Sequence, residues 1–237
     1  EPDTILTTMH LVRSATENAG QTYTVFTNDQ QLFKITTQIT WWQPDIWKNF
    51  YPILGGMHML MSFIGCIGTL MENTGLSEIM KTAFGGVDKM LLGKRALRMV
   101  VEEILRPILL QKDISSFGEL FDYLQILASK SRTARLWTDA LVLPVFIAMR
   151  FVRASREVDW PLHIETVKLM LPYFAAASHW HYFRYTIVYL IKMTKLPNDL
   201  LKKFLKGEHA MRHRTGQWNS IWSDMMIKTT VMRYGHG

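Results

Sequence analysis

Apolar residues near the N-terminus recur at helical spacing, and a short β-branched run follows them. Residues 4–16 repeat apolar side chains near a period of 3.6, and Gly20 supplies a stop. Residues 22–27 are β-branched and aromatic and are too few for a stable helix. The pattern therefore predicts a helix and then a buried strand that ends at Asp29.

A second helix and a second strand continue this pattern. Leu32, Ile35 and Ile39 fall at i, i+3 and i+7 of a helix, and residues 51–54 form a short apolar run closed by two glycines. Residues 57–71 then read as a further helix. The order is helix, strand, helix, strand, helix, and the two strands should pair in parallel because the helix between them is the crossover.

The chain from residue 76 to about residue 205 reads as helices only. A basic helix follows Pro197, and residues 218–232 suit a last helix. Local signals agree with this interpretation. Ser116 with Glu119 makes a capping box, the apolar segment around Pro144 suggests a buried, kinked helix, and Asp159 can cap the helix that follows it. We therefore expect a mainly α protein with a small α/β segment.

Composition indicates a folded protein of an intracellular class. The 237 residues are 48% hydrophobic, which is ample for a core. Cys66 is the single cysteine, so no intramolecular disulfide can form, and no secretory signal is visible. The chain begins at Glu1, and we interpret it as a fragment. The apolar part of residues 51–71 is shorter than the roughly 20 residues that span a bilayer, so we expect no membrane partner.

Positive charge concentrates towards the C-terminal end. The formal net charge is +7, from 27 Lys and Arg against 20 Asp and Glu. Much of the excess lies in one stretch in which basic side chains face only Asp199 and Glu208; they are Lys192, Lys195, Lys202, Lys203, Lys206, Arg212 and Arg214. Such a cluster suits either DNA phosphates or a solvated helix face, and both interpretations stay open.

The absence of three motifs excludes the commonest nucleotide-binding enzymes. The sequence has no glycine-rich phosphate loop, no paired-cysteine motif and no nucleophile elbow. Two histidine pairs have some of the spacing of metal ligands, namely His209 with His213 and His179 with His181. Neither pair has an assigned third ligand, so a zinc site is the weaker hypothesis.

Carboxylates suggest a different chemistry. Hydrolysis or strand transfer of DNA by two metals needs several oxygen ligands converging on Mg²⁺. Asp29 at its strand end and Asp224 on the last helix are candidate catalytic residues and metal ligands. His58 lies just beyond the second strand, so it should approach Asp29 if the strands are neighbours. A helix cap or a surface charge is the alternative role for either aspartate.

The order of the predicted elements is similar to that of a known protein family. Thr27-Asn28-Asp29 ends a strand, Gly55-Gly56-Met57-His58 opens a long helical stretch, and an acidic helix comes last. This order resembles the second half of an RNase H-like transposase of the hAT type. The segments GGMHMLMSFIGCIGTLM, GEHAMRH and WNSIWSDM also resemble transposon-derived proteins of unknown function. The resemblance implies a partial RNase H-like unit over residues 1–58, an all-helical insertion over 59–205 and a returning segment over 206–237.

The resemblance also implies a site and a partner. Asp29 and Asp224 would hold Mg²⁺, and the basic residues Lys202, Lys203, Lys206, Arg212 and Arg214 would contact DNA in the nucleus. Gly55 stands where the family pattern has a cysteine, and Lys228 stands where we expect a catalytic glutamate. The strand with the family's first Asp is not in this chain. We therefore expect a catalytically incomplete transposase-like protein without Mg²⁺-dependent nicking activity. The alternative is a non-enzymatic helical module for protein interaction or DNA binding, with a homo-oligomer as a further partner.

Overall fold

The computed structural model describes residues 2–84, 94–112 and 114–210 of the chain. Its elements, in chain order, are α1 Pro2–Asn18, β1 Thr24–Asn28, α2 Gln30–Trp42, β2 Phe50–Leu54, α3 Gly56–Leu70, α4 Leu76–Phe84, α5 Lys94–Gln111, α6 Phe117–Lys130, α7 Arg132–Trp137, a π-helical turn Thr138–Val142, α8 Leu143–Glu157, α9 Trp160–Ala176, α10 Trp180–Met193 and α11 Asn198–Leu205. The described chain is mainly helical with one small parallel sheet, which confirms the expected class. An RNase H-like core stays a prediction.

The described residues divide into two compact units. Unit 1 contains residues 2–60, 151–171 and 180–210, and unit 2 contains the described residues from 61 to 150 together with 172–179. The boundaries predicted at residues 58 and 205 stay predictions. The last predicted helix, over residues 218–232, lies outside the described residues.

β1 and β2 form the sheet of unit 1, and they pair in parallel as predicted. The register runs from Thr24 opposite Phe50 to Asn28 opposite Leu54. The Gly55 N–H then donates to the Asn28 carbonyl at 2.6 Å, which continues the ladder beyond β2. The carboxyl ends of both strands therefore meet at one edge of the sheet.

α2 connects the two strands and contains several threonines that disfavour a helix. Their hydroxyls bond back to the preceding turn: Thr36 Oγ1 donates to the Leu32 carbonyl at 2.9 Å, and Thr40 Oγ1 donates to the Thr37 carbonyl at 2.8 Å. These bonds satisfy the hydroxyls of Thr36 and Thr40, which are buried together with Thr37 on the inner face of the helix. The helix predicted from residue 30 is thus confirmed.

Aromatic side chains build much of the core of unit 1. Phe33 of α2 is fully buried and meets Tyr185 and Tyr189 of α10 edge to face, with ring centroids 6.4 and 6.2 Å apart. A second cluster joins Met9 of α1 to Trp47 and other residues around β2. Packing is therefore the role of the buried aromatic residues of α10.

The capping box of α6 is present in unit 2 with one change. Ser116 Oγ accepts from the Glu119 N–H at 3.2 Å, as predicted. The Glu119 carboxylate reaches past Ser116 and accepts instead from the Ser115 N–H at 2.9 Å. Hydrogen bonds from the Ser115 N–H and hydroxyl to this carboxylate hold the pKa of Glu119 below its ordinary value.

The apolar segment around Pro144 is a broken helix in unit 2. α7 passes into a π-helical turn, in which the Leu143 N–H bonds to the Thr138 carbonyl, and α8 begins at the residue before the proline. A proline ring would clash with the carbonyl four residues earlier in a regular helix. The wider turn accommodates the ring in a helical chain.

The apolar window over residues 51–71 is a buried strand followed by a helix, as predicted. Leu54, Phe63 and Ile67 in this window are almost completely buried. Among the residues that the structure describes, no helix combines the length and the apolar character that crossing a membrane requires.

Candidate functional site

The sheet edge predicted to carry chemistry holds Asp29 and His58. Asp29 follows the last residue of β1, and His58 lies in the first turn of α3, just beyond β2. Both side chains are half-buried. Parallel pairing of the strands therefore places both residues beyond the same edge, where loops of α/β units commonly bind ligands.

Asp29 has a structural task at this edge. It is the N-cap of α2, and its Oδ1 accepts from the Leu32 N–H at 2.9 Å. Its backbone carbonyl also accepts the Phe33 N–H at 2.9 Å. A carboxylate has more acceptor positions than this cap uses, so capping and metal binding are compatible in Asp29.

Asn28, which the sequence did not single out, lies beside Asp29 and is almost completely buried. Its Nδ2 donates to Thr36 Oγ1 at 3.3 Å and to the Phe26 carbonyl at 3.4 Å. Its Oδ1 has no hydrogen-bond partner among the described residues. A strand-terminal asparagine next to a predicted aspartate was the one signal that could have found it.

Metal ligands do not cluster in the described part of the chain. Across residues 2–84, 94–112 and 114–210, no three His, Cys, Asp or Glu side chains are grouped so that they could hold a metal ion. Asp224 and Lys228, the predicted second ligand and its lysine neighbour, lie outside these ranges, as does His213. The predicted approach of Asp29 to Asp224 therefore stays a prediction.

Two histidines of unit 1 belong to a buried aromatic cluster. The ring of His163 stacks on Trp160 with centroids 5.3 Å apart, and its Nε2 lies 2.9 Å from the Tyr189 hydroxyl. His209 Nδ1 lies 3.0 Å from the Phe204 carbonyl. Burial, and secondarily the nearby His209, lower the pKa of His163 to about 3. His209 thus packs against neighbouring rings in the described chain. The spacing of residues in the sequence gave no sign that His163 pairs with Tyr189.

The histidine pair at the start of α10 is divided between two environments. His179 Nδ1 lies 3.0 Å from Ser62 Oγ within unit 2, and a Cβ added at Gly65 would lie 3.4 Å from the His179 ring. His181 is exposed to solvent. The His179 ring therefore lies directly beside Gly65 and within hydrogen-bond distance of Ser62.

α11 presents the basic face predicted after Pro197. Leu200 and Phe204 are buried, whereas Lys202, Lys203 and Lys206 are exposed. These three lysines, here called the basic face, lie within one helical turn of one another at spacings of one, three and four residues. Arg212 and Arg214 lie outside the described residues.

A tyrosine engages the acidic residue at the start of α11. The Tyr23 hydroxyl donates to Asp199 Oδ2 at 2.6 Å. This bond lowers the pKa of Asp199 and raises the pKa of Tyr23 to about 12. It also ties α11 to the segment that leads into β1.

A cleft in unit 1 contains a partly buried lysine. Its volume is about 480 Å³, and its walls come from the end of α2, the following loop, β2 and α10. Lys192 of α10 donates through Nζ to Thr40 Oγ1 at 3.1 Å and to Thr37 Oγ1 at 3.5 Å. Burial lowers the pKa of Lys192 to about 8. We call this feature the Lys192 cleft.

Only a family model links the chain to known proteins. No curated protein matches it, and no solved structure matches it. A family model matches residues 1–116 and residues 108–236, and these two matches together cover almost the whole chain. The chain therefore belongs to the family described as "Domain of unknown function (DUF8702)".

Proposed function

We propose that this chain is a catalytically incomplete, transposase-derived protein that binds duplex DNA through the basic face of α11. The observation that carries the proposal is the arrangement of that face. Lys202, Lys203 and Lys206 are exposed together while Leu200 and Phe204 anchor the helix in the core. Ammonium groups grouped in this way suit neighbouring phosphates, because each displaces condensed counterions from DNA.

Local charge also favours phosphates at this face. Asp199, at the start of the same helix, accepts a hydrogen bond from Tyr23 at 2.6 Å and also interacts electrostatically with Lys203, so a single carboxylate of α11 faces the three lysines. Lys195 adds a further exposed positive charge shortly before α11. The proposal extends the DNA contacts to Arg212 and Arg214 and places the protein in the nucleus.

The transposase origin is supported by the α/β segment. A parallel strand pair, a crossover helix and an aspartate just beyond the first strand follow the order of the RNase H-like family that the sequence resembles. In the proposal, Asp29 and Asp224 are the surviving Mg²⁺ ligands of that ancestor. Two-metal chemistry needs further carboxylates, and Lys228 stands where one is expected.

Salt-dependent binding to a mixed-sequence DNA duplex tests the proposed partner. We expect the logarithm of the binding constant to fall linearly with the logarithm of salt concentration. The triple variant Lys202→Ala, Lys203→Ala, Lys206→Ala should bind more weakly to every sequence and should reduce the slope by about 3, because each phosphate contact contributes about 1. Fluorescence anisotropy of a labelled duplex measures both quantities.

A charge-matched control variant distinguishes the effect of the basic face on DNA binding from the effect of net charge. Lys34, Lys81 and Lys168 are exposed elsewhere in the described chain, and their triple alanine variant loses the same formal charge. It should keep nearly the natural slope. Equal slopes for the two triple variants, or no binding at low salt, would contradict the proposal.

A protein-interaction module is the second candidate, and exposed apolar side chains favour it. Trp42 is 84% exposed and Leu110 is 80% exposed. Each has a further exposed apolar residue directly before it, Trp41 or Leu109, and contiguous apolar patches commonly belong to partner-binding surfaces. If the duplex does not bind at low salt while the protein self-associates in sedimentation experiments, this candidate replaces the first.

A further inference from the structure

We propose that the Lys192 cleft binds a small organic anion: a carboxylate, sulfonate or phosphate attached to an aromatic or alkyl body. The Lys192 ammonium would hold the anionic group, and the aromatic walls would cover the apolar body. This inference does not rest on the proposed DNA binding, because the cleft does not include the basic face of α11; Lys195 alone contributes charge to both.

The cleft has the size and lining of a ligand site. Its volume of about 480 Å³ lies within the range of roughly 300–1,000 Å³ that is usual for small-molecule pockets. Trp41, Phe50 and Tyr51 contribute aromatic surface, and Val188 and Ile191 contribute aliphatic surface. An apolar body of one or two rings fits such a space.

Charge in the cleft has one sign. Lys48, Lys192 and Lys195 line it, and no aspartate or glutamate is among its described lining residues. Within the described chain, no carboxylate forms an ion pair with Lys192. A partly buried ammonium without a carboxylate is costly unless something compensates the charge, so charge complementarity points to an anionic ligand.

The surroundings of Lys192 orient its ammonium. Two of its three N–H groups are directed at Thr37 and Thr40, and the third remains for a ligand. The Thr40 hydroxyl donates to the Thr37 carbonyl, so its oxygen is placed to accept from the lysine. The ammonium also lies 5.7 Å from the centre of the Trp41 ring. The side chain is thus held in position before a ligand arrives, which reduces the entropy that binding must overcome.

The rim of the cleft leaves apolar surface in water. Trp41 is 55% exposed and Ile191 is 51% exposed, although both line the cleft. A ligand with an apolar body would cover part of both side chains and gain the corresponding hydrophobic free energy. An inorganic anion would cover neither.

Two fluorescent probes of similar shape test the charge requirement. The full chain is titrated with 1-anilinonaphthalene-8-sulfonate, and in parallel with N-phenyl-1-naphthylamine, which has the same rings without the sulfonate. We expect saturable, one-to-one binding of the sulfonate probe and weaker binding of the neutral one. Lys192→Met keeps the side-chain length and removes the charge, so it should weaken sulfonate binding about tenfold or more and leave the neutral probe unchanged. Lys168→Met, at an exposed lysine of the same unit, is the matched control and should change neither affinity.

A second variant tests the location. Ile191→Trp fills the mouth of the cleft and should abolish binding of both probes, whereas Leu169→Trp on α9 should not. Sulfonate binding should also fall as pH rises through about 8, because burial places the pKa of Lys192 there. Dodecanoate should displace the sulfonate probe, and inorganic phosphate at equal concentration should not, since it has no apolar body. Unchanged sulfonate affinity in Lys192→Met, retained binding in Ile191→Trp, or displacement by inorganic phosphate would each overturn the proposal.

Discussion

At the scale of single residues, polar side chains of unit 1 serve the fold and remain available for chemistry. Asp29 caps α2 with one carboxylate oxygen, and Asn28 beside it has a buried Oδ1 without a partner among the described residues. Lys192 is held by two threonine hydroxyls at the cleft. In each case the structure uses only part of the hydrogen-bonding capacity of the side chain.

Substitutions at Asp29 separate the capping hydrogen bond from the effect of its charge. Asp29→Ala should lower the free energy of unfolding by about 1 kcal/mol, because the Leu32 N–H loses its acceptor. Asp29→Asn should cost only a few tenths of a kcal/mol, since asparagine caps a helix about as well as aspartate does. Urea unfolding followed by circular dichroism measures these differences. Asp122→Ala, at an exposed aspartate within α6, is the control and should be nearly neutral. An asparagine variant as unstable as the alanine variant would show that the negative charge at the N-terminus of α2, rather than the capping hydrogen bond, provides the stabilisation.

At the scale of elements, α2 and α10 form the central contact of unit 1. Phe33 lies edge to face against two tyrosines of α10, and Lys192 of α10 bonds to two threonines of α2. The same helix α2 is the crossover between β1 and β2. Packing of this pair therefore positions the sheet edge and the walls of the Lys192 cleft.

Truncation of Phe33 should show how much this contact contributes. Phe33→Ala leaves a cavity at a fully buried position, so we expect it to lower the free energy of unfolding by about 3–5 kcal/mol. Leu32→Ala, one residue earlier and 39% exposed, should cost less than about 1 kcal/mol. Urea titrations of the two variants make the comparison. Similar losses for both would indicate that α2 and α10 do not pack as described.

At the scale of the whole molecule, two histidines and two hydrogen-bonded carboxylates make stability depend on pH in the same direction. The pKa of His163 is lowered to about 3, and burial also lowers the pKa of His209. Hydrogen bonds lower the pKa values of Glu119 and Asp199. Each group binds protons more weakly in the folded chain than in the unfolded chain. Their contributions therefore all weaken as pH falls.

Acid titration should reveal how much His163 contributes to the pH dependence of the free energy of unfolding. Its contribution is fully present above the unfolded histidine pKa of about 6.5 and is lost progressively as pH falls towards about 3. His163→Gln keeps a polar partner for the Tyr189 hydroxyl and removes the titration. The free energy of unfolding should then fall less steeply between pH 6.5 and pH 3 than in the natural chain. Urea unfolding at several pH values measures the slope. Identical slopes would mean that His163 is solvated in the folded state.

Local structure was largely predictable because its causes lie within a few residues. The strand pair, the crossover helix and the caps at Ser116 and Asp159 follow from side-chain periodicity, β-branched runs and i, i+3 acceptor spacing. The π-helical turn before Pro144 was not predicted in detail. Sequence marks the proline, whereas the surrounding packing decides how the helix accommodates it.

The sequence by itself determined the class of the protein: a mainly helical chain, one parallel strand pair with Asp29 beyond its edge, and an exposed basic helix after Pro197. Only tertiary structure decided which distant side chains meet. Lys192 reaches threonines more than 150 residues away, and His163 pairs with Tyr189 of another helix. Propensity and spacing act over one or two helical turns, but burial, pKa and cleft geometry arise from packing between segments that are remote in the chain.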